Sequence, residues 1–293
     1  MAIDNLGEEE GLEEYKVSNK IALIDADTIV FASCTIHEYA DDLLSLDMYT
    51  EEEWTDIKAH PGYEPDEHCI WLYNEEVVYD DCLMRIKEIQ AATNTKGVEL
   101  HFTQGRNFRY DVDPMYKANR KGNRYPSGMS VIKQRLLTEF DGAIHEKIEA
   151  DDAVVMLKRT QPKKYVLCAV DKDVYLSVPG VHWNYYRSAQ YNIEMKWVET
   201  DVKDAYQFPY KQTLMGDSTD NIIGAPGIGK VKAGKALEGL ITPCDMWKAV
   251  CALFIEKKRT VKEAISDMRL VNMHQIDTNM ELTLWQPPCD YDS

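Results

Sequence analysis

The seven cysteines (Cys34, Cys69, Cys82, Cys168, Cys244, Cys251 and Cys289) include no C-x-x-C pair. Their scatter predicts reduced thiols in a cytoplasmic protein, not a disulfide frame. No apolar run approaches the roughly 18 residues of a membrane span, so no membrane partner is expected. The start, MAIDNLGEEEGLEEYK, is acidic and does not read as a secretory leader. Bases are scarce: 33 Lys and Arg stand against 50 Asp and Glu, a net charge of −17. There is no persuasive Ser/His/Asp or Cys/His set, and His145 and His182 have no visible partner. His60, His68 and Cys69 match no standard zinc spacing and read as loop residues. No internal repeat or low-complexity tract is present.

What remains is an ordinary globular composition. The 293 residues allow a large core in one or two domains, with 44% apolar and 28% charged residues. The charge is unevenly placed. From Glu38 to Asp81 there are fifteen acids and one base, Lys58. From Arg106 to Arg135 there are eight bases and two acids, Asp111 and Asp113. The acidic block reads as a solvated insertion, or as a lobe that repels or mimics nucleic acid. The basic block is the complement that phosphates need.

Gly224–Lys230, GAPGIGK, fits the first seven positions of a nucleotide-binding P-loop. The next residue is Val231, which lacks the hydroxyl that such a loop offers to Mg²⁺, and no apolar strand precedes it. The other reading is a glycine hairpin between two helices, with Gly227, Gly229, Lys230 and Lys232 presenting backbone N–H groups and charge to a phosphate. Asp217 and Asp220 lie just upstream, at a spacing that puts them on one face of a helical turn.

Hydrophobic spacing predicts strands at 21–27, 98–104, 165–173 and 181–186, and helices at 77–93, 130–140 and 150–159. Residues 1–19 read as a flexible acidic arm, 28–58 as mostly helical with Trp54 and Ile57 as core contacts, and 59–68 as a loop. From about 196 no further strand is convincing. The alternation predicts an α/β core, 20–195, with a mostly parallel sheet covered on both faces, followed by a helical region, 196–293.

Acids collect where such sheets bind ligands, beyond the carboxyl ends of strands. Asp25 and Asp27 end the first strand, and Asp171 and Asp173 the third; each i, i+2 pair points to one side. Glu149, Asp151 and Asp152 open a helix, and Asp217 and Asp220 join from the turn. So many carboxylates repel unless a hard cation with oxygen ligands, Mg²⁺ or Mn²⁺, holds them. Two such ions about 4 Å apart activate water and stabilise the leaving oxygen of a phosphodiester. In DPMYKANRKGNRYP, residues 113–126, Lys117, Arg120, Lys121 and Arg124 recur at helical spacing beside Tyr116 and Tyr125. Such bases neutralise phosphates, and such aromatics stack on an unpaired base.

Taken in order, LIDAD, YKANR, IEADD, AVDKD, MGDSTDN and GIGKVKAG resemble the bacteriophage 5′→3′ exonucleases of the flap endonuclease family, from about residue 20 to 240. The resemblance implies a two-metal, structure-selective nuclease with a helical arch near 106–135. It implies a helix–three-turn–helix element near 214–237 that grips duplex DNA, often with K⁺. By position, Asp25, Glu149, Asp151, Asp152, Asp171, Asp173, Asp217 and Asp220 match the metal acids. Lys117 and Arg120 match the arch bases, and Gly227, Gly229 and Lys230 the duplex hairpin. Gln104 stands where many relatives place an acid, which Asp27 could offset. The expected partner is DNA with a 5′ end, flap or nick, or an RNA–DNA hybrid, met by a monomer in the host bacterial cytoplasm. The alternatives are a duplex-binding protein that keeps the fold without catalysis, and a PIN-like ribonuclease.

Overall fold

The computed structural model describes residues 19–43, 48–120, 122 and 124–291. The expected arm, 1–19, falls almost wholly outside them, as does Lys121. The central sheet has six strands in the order β6-β5-β1-β7-β8-β9. They are β1 (Ile21–Asp25), β5 (Gly97–Thr103), β6 (Asp141–His145), β7 (Tyr165–Cys168), β8 (Gly180–Asn184) and β9 (Lys196–Thr200). Every pairing is parallel except β8 with β9. β1 is central and buried because its run, IALI, is apolar on both faces, as a strand covered by helices on both sides requires.

One face is covered by α1 (Asp27–His37), α3 (Glu75–Thr93) and α5 (Met129–Glu139) over Ile24, Val30, Ile86, Leu100 and Ile132. The other carries α6 (Ala150–Thr160) and α7 (Lys172–Leu176), with α4 (Arg109–Val112) nearby. A separate helical core follows: α8 (Val202–Met215), α9 (Lys230–Ala236), α10 (Pro243–Glu256) and α11 (Val261–Val271), packed around Leu214, Trp247, Phe254 and Met268.

Four expectations are corrected. β9 continues the sheet past 196, its edge position letting so short and polar a strand survive. β6, DGAIH, has only two apolar residues in a run too short to show alternation. Its Gly142, at φ 145°, passes so close to β5 that a Cβ would lie 1.8 Å from the Leu100 carbonyl oxygen. Residues 28–37 and 51–58 are helical, as read, but the acidic block from Glu38 also carries strands that its sequence did not announce. It forms a three-stranded antiparallel sheet of β2 (Glu38–Asp42), β3 (Tyr63–Glu64) and β4 (Cys69–Tyr73), with α2 (Glu51–Ala59) between. α2 buries nothing, and Trp54 packs on Tyr49 and Tyr63 instead of the core. Finally, Cys244 and Cys289 form a disulfide, which pins the C-terminal tail to α10 beside the Trp247–Trp285 ring pair. Spacing alone could not reveal that pairing, because the tail returns across 45 residues.

Candidate active site

Asp25 is the last residue of β1 and only 5% exposed. Its carboxyl meets those of Asp151, in the first turn of α6, and Asp171, the N-cap of α7. Burial and the charge of Asp27, together with Asp171, push Asp25 up to about 7, against the pull of its hydrogen bond with Asp151. Asp151 is raised well above the carboxylate range by burial and by Asp25, Asp171 and Glu149. Asp171 is raised by burial and by Asp173. These three acids suppress one another's ionisation, and their oxygens are of the kind that a hard divalent cation prefers.

Asp171 does not lie in a strand with Asp173 as read from the sequence. β7 stops at Cys168, and Asp171 instead caps α7 by accepting the Asp173 N–H at 2.8 Å. Asp173 accepts from Lys172 at 3.0 Å and from the buried Gln212 of α8. Asp217 and Asp220 sit on a tight 217–222 turn closed by two backbone hydrogen bonds of 2.8 and 2.7 Å, not on a helix. Both still face the cleft, of about 40 Å³, together with Glu149, Asp151, Asp171 and Asp173. Asp25 stands behind this lining.

Glu149 behaves differently from its neighbours. Burial opposes its charge, yet Arg109 and Lys117 hold it below the usual range. Lys117 Nζ donates to Glu149 at 2.5 Å and stands 3.8 Å from Asp220, while Arg120 donates to Asp220 at 2.5 Å. Lys117 has φ 53°, a conformation costing about 1–3 kcal/mol in a non-glycine residue. It is held by its own N–H on the Asp220 carbonyl at 2.9 Å and by Asn221 on the Met115 carbonyl at 2.8 Å. Lys117 and Arg120 therefore lie directly on the acids. Among the described residues no three acids converge on one ion-sized point, and Glu149, Asp152 and Asp220 are each paired with one of the nearby cations.

Other expected residues have different employment. Tyr116 is 2% exposed and its hydroxyl donates to Glu149 at 3.1 Å and Asp220 at 2.9 Å, so it orients acids and has no free face for a base. Arg124 grips Glu38 with both terminal nitrogens and stacks on Trp71 at 4.1 Å, locking the acidic lobe to the arch segment; it is not a free phosphate ligand. Asp27 pairs with Lys133 at 2.6 Å and accepts the Thr103 N–H at 2.9 Å. Gln104 is exposed and does not line the cleft. His145 does have a partner, the buried His101 at 2.8 Å, and His182 bonds the Val178 carbonyl.

The sequence reading missed Arg109. It is 2% exposed, and its two terminal nitrogens each lie 2.7 Å from an oxygen of Asp152, with 3.2 Å to Glu149. Asp152, also bonded to the Glu149 N–H, is thereby saturated without a metal. Arg109 Nε donates to the Leu270 carbonyl at the end of α11. A lone Arg inside the apolar-aromatic run NFRY was the available signal.

Beyond Asp220, Gly216 and Gly224 cross so closely that a Cβ on Gly224 would lie 2.3 Å from the Gly216 nitrogen. Gly227 is exposed at φ 78°, Gly229 caps α9, and Lys230 and Lys232 are exposed on it. No strand precedes this turn, as rejection of the P-loop required.

No family model matches the chain. Over 241 residues it is 25% identical to an exodeoxyribonuclease of Enterobacteria phage T3, covering 80% of this chain and 72% of that one. It is 26% identical over 185 residues to the flap endonuclease Xni of a Shewanella species, covering 60% and 71%. Among solved structures, the bacteriophage T5 5′-exonuclease with bound divalent metal ions (zinc) superposes with a TM-score of 0.52 at 15% identity, over 86% of this chain and 89% of that one. The T5 flap endonuclease in complex with DNA and metal ions gives 0.51 at 17%, over 67% and 80%. The structural likenesses carry the fold.

Proposed function

The chain belongs to the flap endonuclease family, and we propose that it is a divalent-metal-dependent 5′→3′ exonuclease and flap endonuclease that hydrolyses DNA and leaves 5′-phosphate products. The observation that carries this reading is the stacking of three layers. Mutually raised acids at the sheet edge lie beneath Lys117 and Arg120, and the glycine turn with Lys230 stands beyond Asp220. RNA–DNA hybrids as substrates, a monomeric state and work in a host cytoplasm are part of the proposal.

The donor set fits Mg²⁺ or Mn²⁺ and does not resemble a thiol or imidazole site. Asp25, Glu149, Asp151 and Asp171 would hold one ion, and Asp173, Asp217 and Asp220 the second. Bound there, such ions supply charge neutralisation and activation of water. The chain's own residues do the rest. Lys117 exchanges Glu149 for a non-bridging oxygen of the scissile phosphate, and Arg120 exchanges Asp220 for the 5′-phosphate. Tyr116 and Arg109 keep Glu149 and Asp152 in place. Lys230, Lys232 and the N–H groups of Gly227 and Gly229 take the duplex backbone. A K⁺ at this turn is part of the proposal; the carbonyls of Gly224 and Gly227 accept one bond each, from Arg259 at 2.7 Å and Lys232 at 2.9 Å.

Cleavage of a 5′-labelled nicked or flapped duplex in Mg²⁺ tests the reading. Asp171→Asn should lower turnover by at least about a hundredfold, the scale of one lost electrostatic contact at a reacting group. Turnover like wild type would sink the metal assignment. Binding without cleavage by the unaltered chain would favour the non-catalytic alternative, and cleavage confined to RNA the ribonuclease.

A further inference from the structure

Lys133 is a buried cation that the proposed cleavage does not use. It lies in α5, where the basic segment that carries Lys117 and Arg120 ends, and it is 8% exposed. Lysine is almost never buried to that extent without a partner. Its Nζ lies 5.8 Å from the centre of the Phe102 ring, beside Thr103, the last residue of β5. There the ammonium donates to the Thr103 carbonyl at 2.8 Å and stands 2.6 Å from Asp27 Oδ1. That oxygen is buried, and among the described residues no hydrogen bond reaches it, so Lys133 balances it by charge.

The pair adjoins the acid centre without joining it. Asp27 opens α1 two residues after Asp25, and its charge acts on that acid. Its Oδ2 accepts the Thr103 N–H at 2.9 Å. The Thr103 hydroxyl in turn accepts the N–H of Ala150 at 2.9 Å, between Glu149 and Asp151. Asp27 nevertheless does not line the acid cleft. Sequence places it among the metal acids; the fold turns it to a base on another helix. A carboxylate at the edge of a cation site joins the ligands unless a counter-charge holds it elsewhere.

We propose that Lys133 is a positioning residue that keeps Asp27 out of the cation-binding set. It fixes the Asp27 carboxylate toward α5 and cancels its charge, which leaves the ion to Asp25, Glu149, Asp151 and Asp171. The affinity of an oxygen site rises with the number of its charged ligands. Without the ammonium, a full negative charge returns to the edge of the cleft beside Asp25, and a cation is held more tightly than in the native centre. Lys133 thereby sets the divalent concentration at which the centre fills. The proposal rests on the reading of these acids as a cation site.

Binding of Mn²⁺ to the chain without DNA tests it, read by electron paramagnetic resonance of the free ion. Asp171→Asn is the reference for the site and should weaken binding. Lys133→Met keeps the apolar stem and should bind Mn²⁺ about tenfold more tightly, the scale of one unit charge acting on a divalent ion in a partly solvated site. Adding Asp27→Asn should return the affinity to within about twofold of wild type, and Lys133→Arg should bind as wild type does. Asp27→Asn alone leaves the ammonium unbalanced and should weaken binding by a similar factor. This single variant decides the matter if Lys133→Met does not fold, and unchanged affinity in it would overturn the proposal. So would a folded Lys133→Met that binds no more tightly than wild type, or a gain that survives Asp27→Asn. Mn²⁺ binding that Asp171→Asn leaves untouched would overturn the cation-site reading, and the proposal with it. A response to Asp171→Asn without a gain in Lys133→Met would overturn the proposal alone.

Discussion

Removing the Arg109 guanidinium exposes how the acid centre is held together. In Arg109→Met the side chain keeps most of its length and its apolar packing, but Asp152 loses two hydrogen bonds of 2.7 Å, Glu149 loses a cation at 3.2 Å, and the Leu270 carbonyl loses its donor. Breaking a buried ion pair by deleting one partner costs about 3–5 kcal/mol, since a charge is stranded in the interior. For a chain of this size that corresponds to roughly 6–20 °C in melting temperature. Urea unfolding at pH 7 reads the first quantity and a thermal scan the second. Neutralising the stranded acid should restore part of the loss, so Arg109→Met with Asp152→Asn should be more stable than Arg109→Met alone. Turnover should fall in both, because Glu149 is no longer oriented. Arg109→Lys should recover the charge without the two-pronged grip, and fall between. If Arg109→Met unfolds within about 0.5 kcal/mol of wild type, the spread of ordinary surface changes, the account of this network is wrong.

Three further outcomes follow from features elsewhere in the chain. Burial holds His182 down to about 3, against 6.5 when free. The unfolded chain therefore binds the extra proton first, and the stability present above pH 6.5 is lost as pH falls toward 3. Between pH 6.5 and 5 this amounts to about 2 kcal/mol, a slope that His182→Asn should flatten in urea titrations. The Cys244–Cys289 bridge closes a 45-residue loop, so Cys289→Ser should cost up to about 4 kcal/mol by chain entropy; no difference between oxidised and reduced wild type would contradict this. Lys230→Ala should weaken duplex binding and lower the magnitude of the salt slope by about one, and unchanged affinity across several salt concentrations would remove the hairpin from the DNA interface.

The acids and the central strands were legible because they obey local rules. IALID and YVLC are apolar runs too short for helices, and each is followed by acids at the edge where sheet ligands bind. The glycines of the 216–229 turn announce themselves in the same way. What the sequence hid depends on partners far along the chain. Tyr116 and Arg124 look like nucleic-acid ligands in a basic stretch, but Asp220 and Glu38, 104 and 86 residues away, claim them. Arg109 was invisible for the same reason, since its partners are Asp152 and a carbonyl 161 residues away. His101 and His145 meet only because β5 and β6 are paired. Charge pattern reveals that a patch exists; it does not reveal which of its members the fold has already spent.

The ion pairs of Lys117 with Glu149 and of Arg120 with Asp220 give the acid centre an internal counterion. A divalent cation entering the cleft must compete with that ammonium, and a phosphate arriving at the arch must compete with those carboxylates. Each newcomer relieves the other of its rival. Metal and DNA are then heterotropic ligands of one charge-exchange equilibrium, and whatever factor one adds to the affinity of the other is returned in full. The chain would bind either alone weakly and both together well, so that the cation is held most firmly when there is a strand to cut.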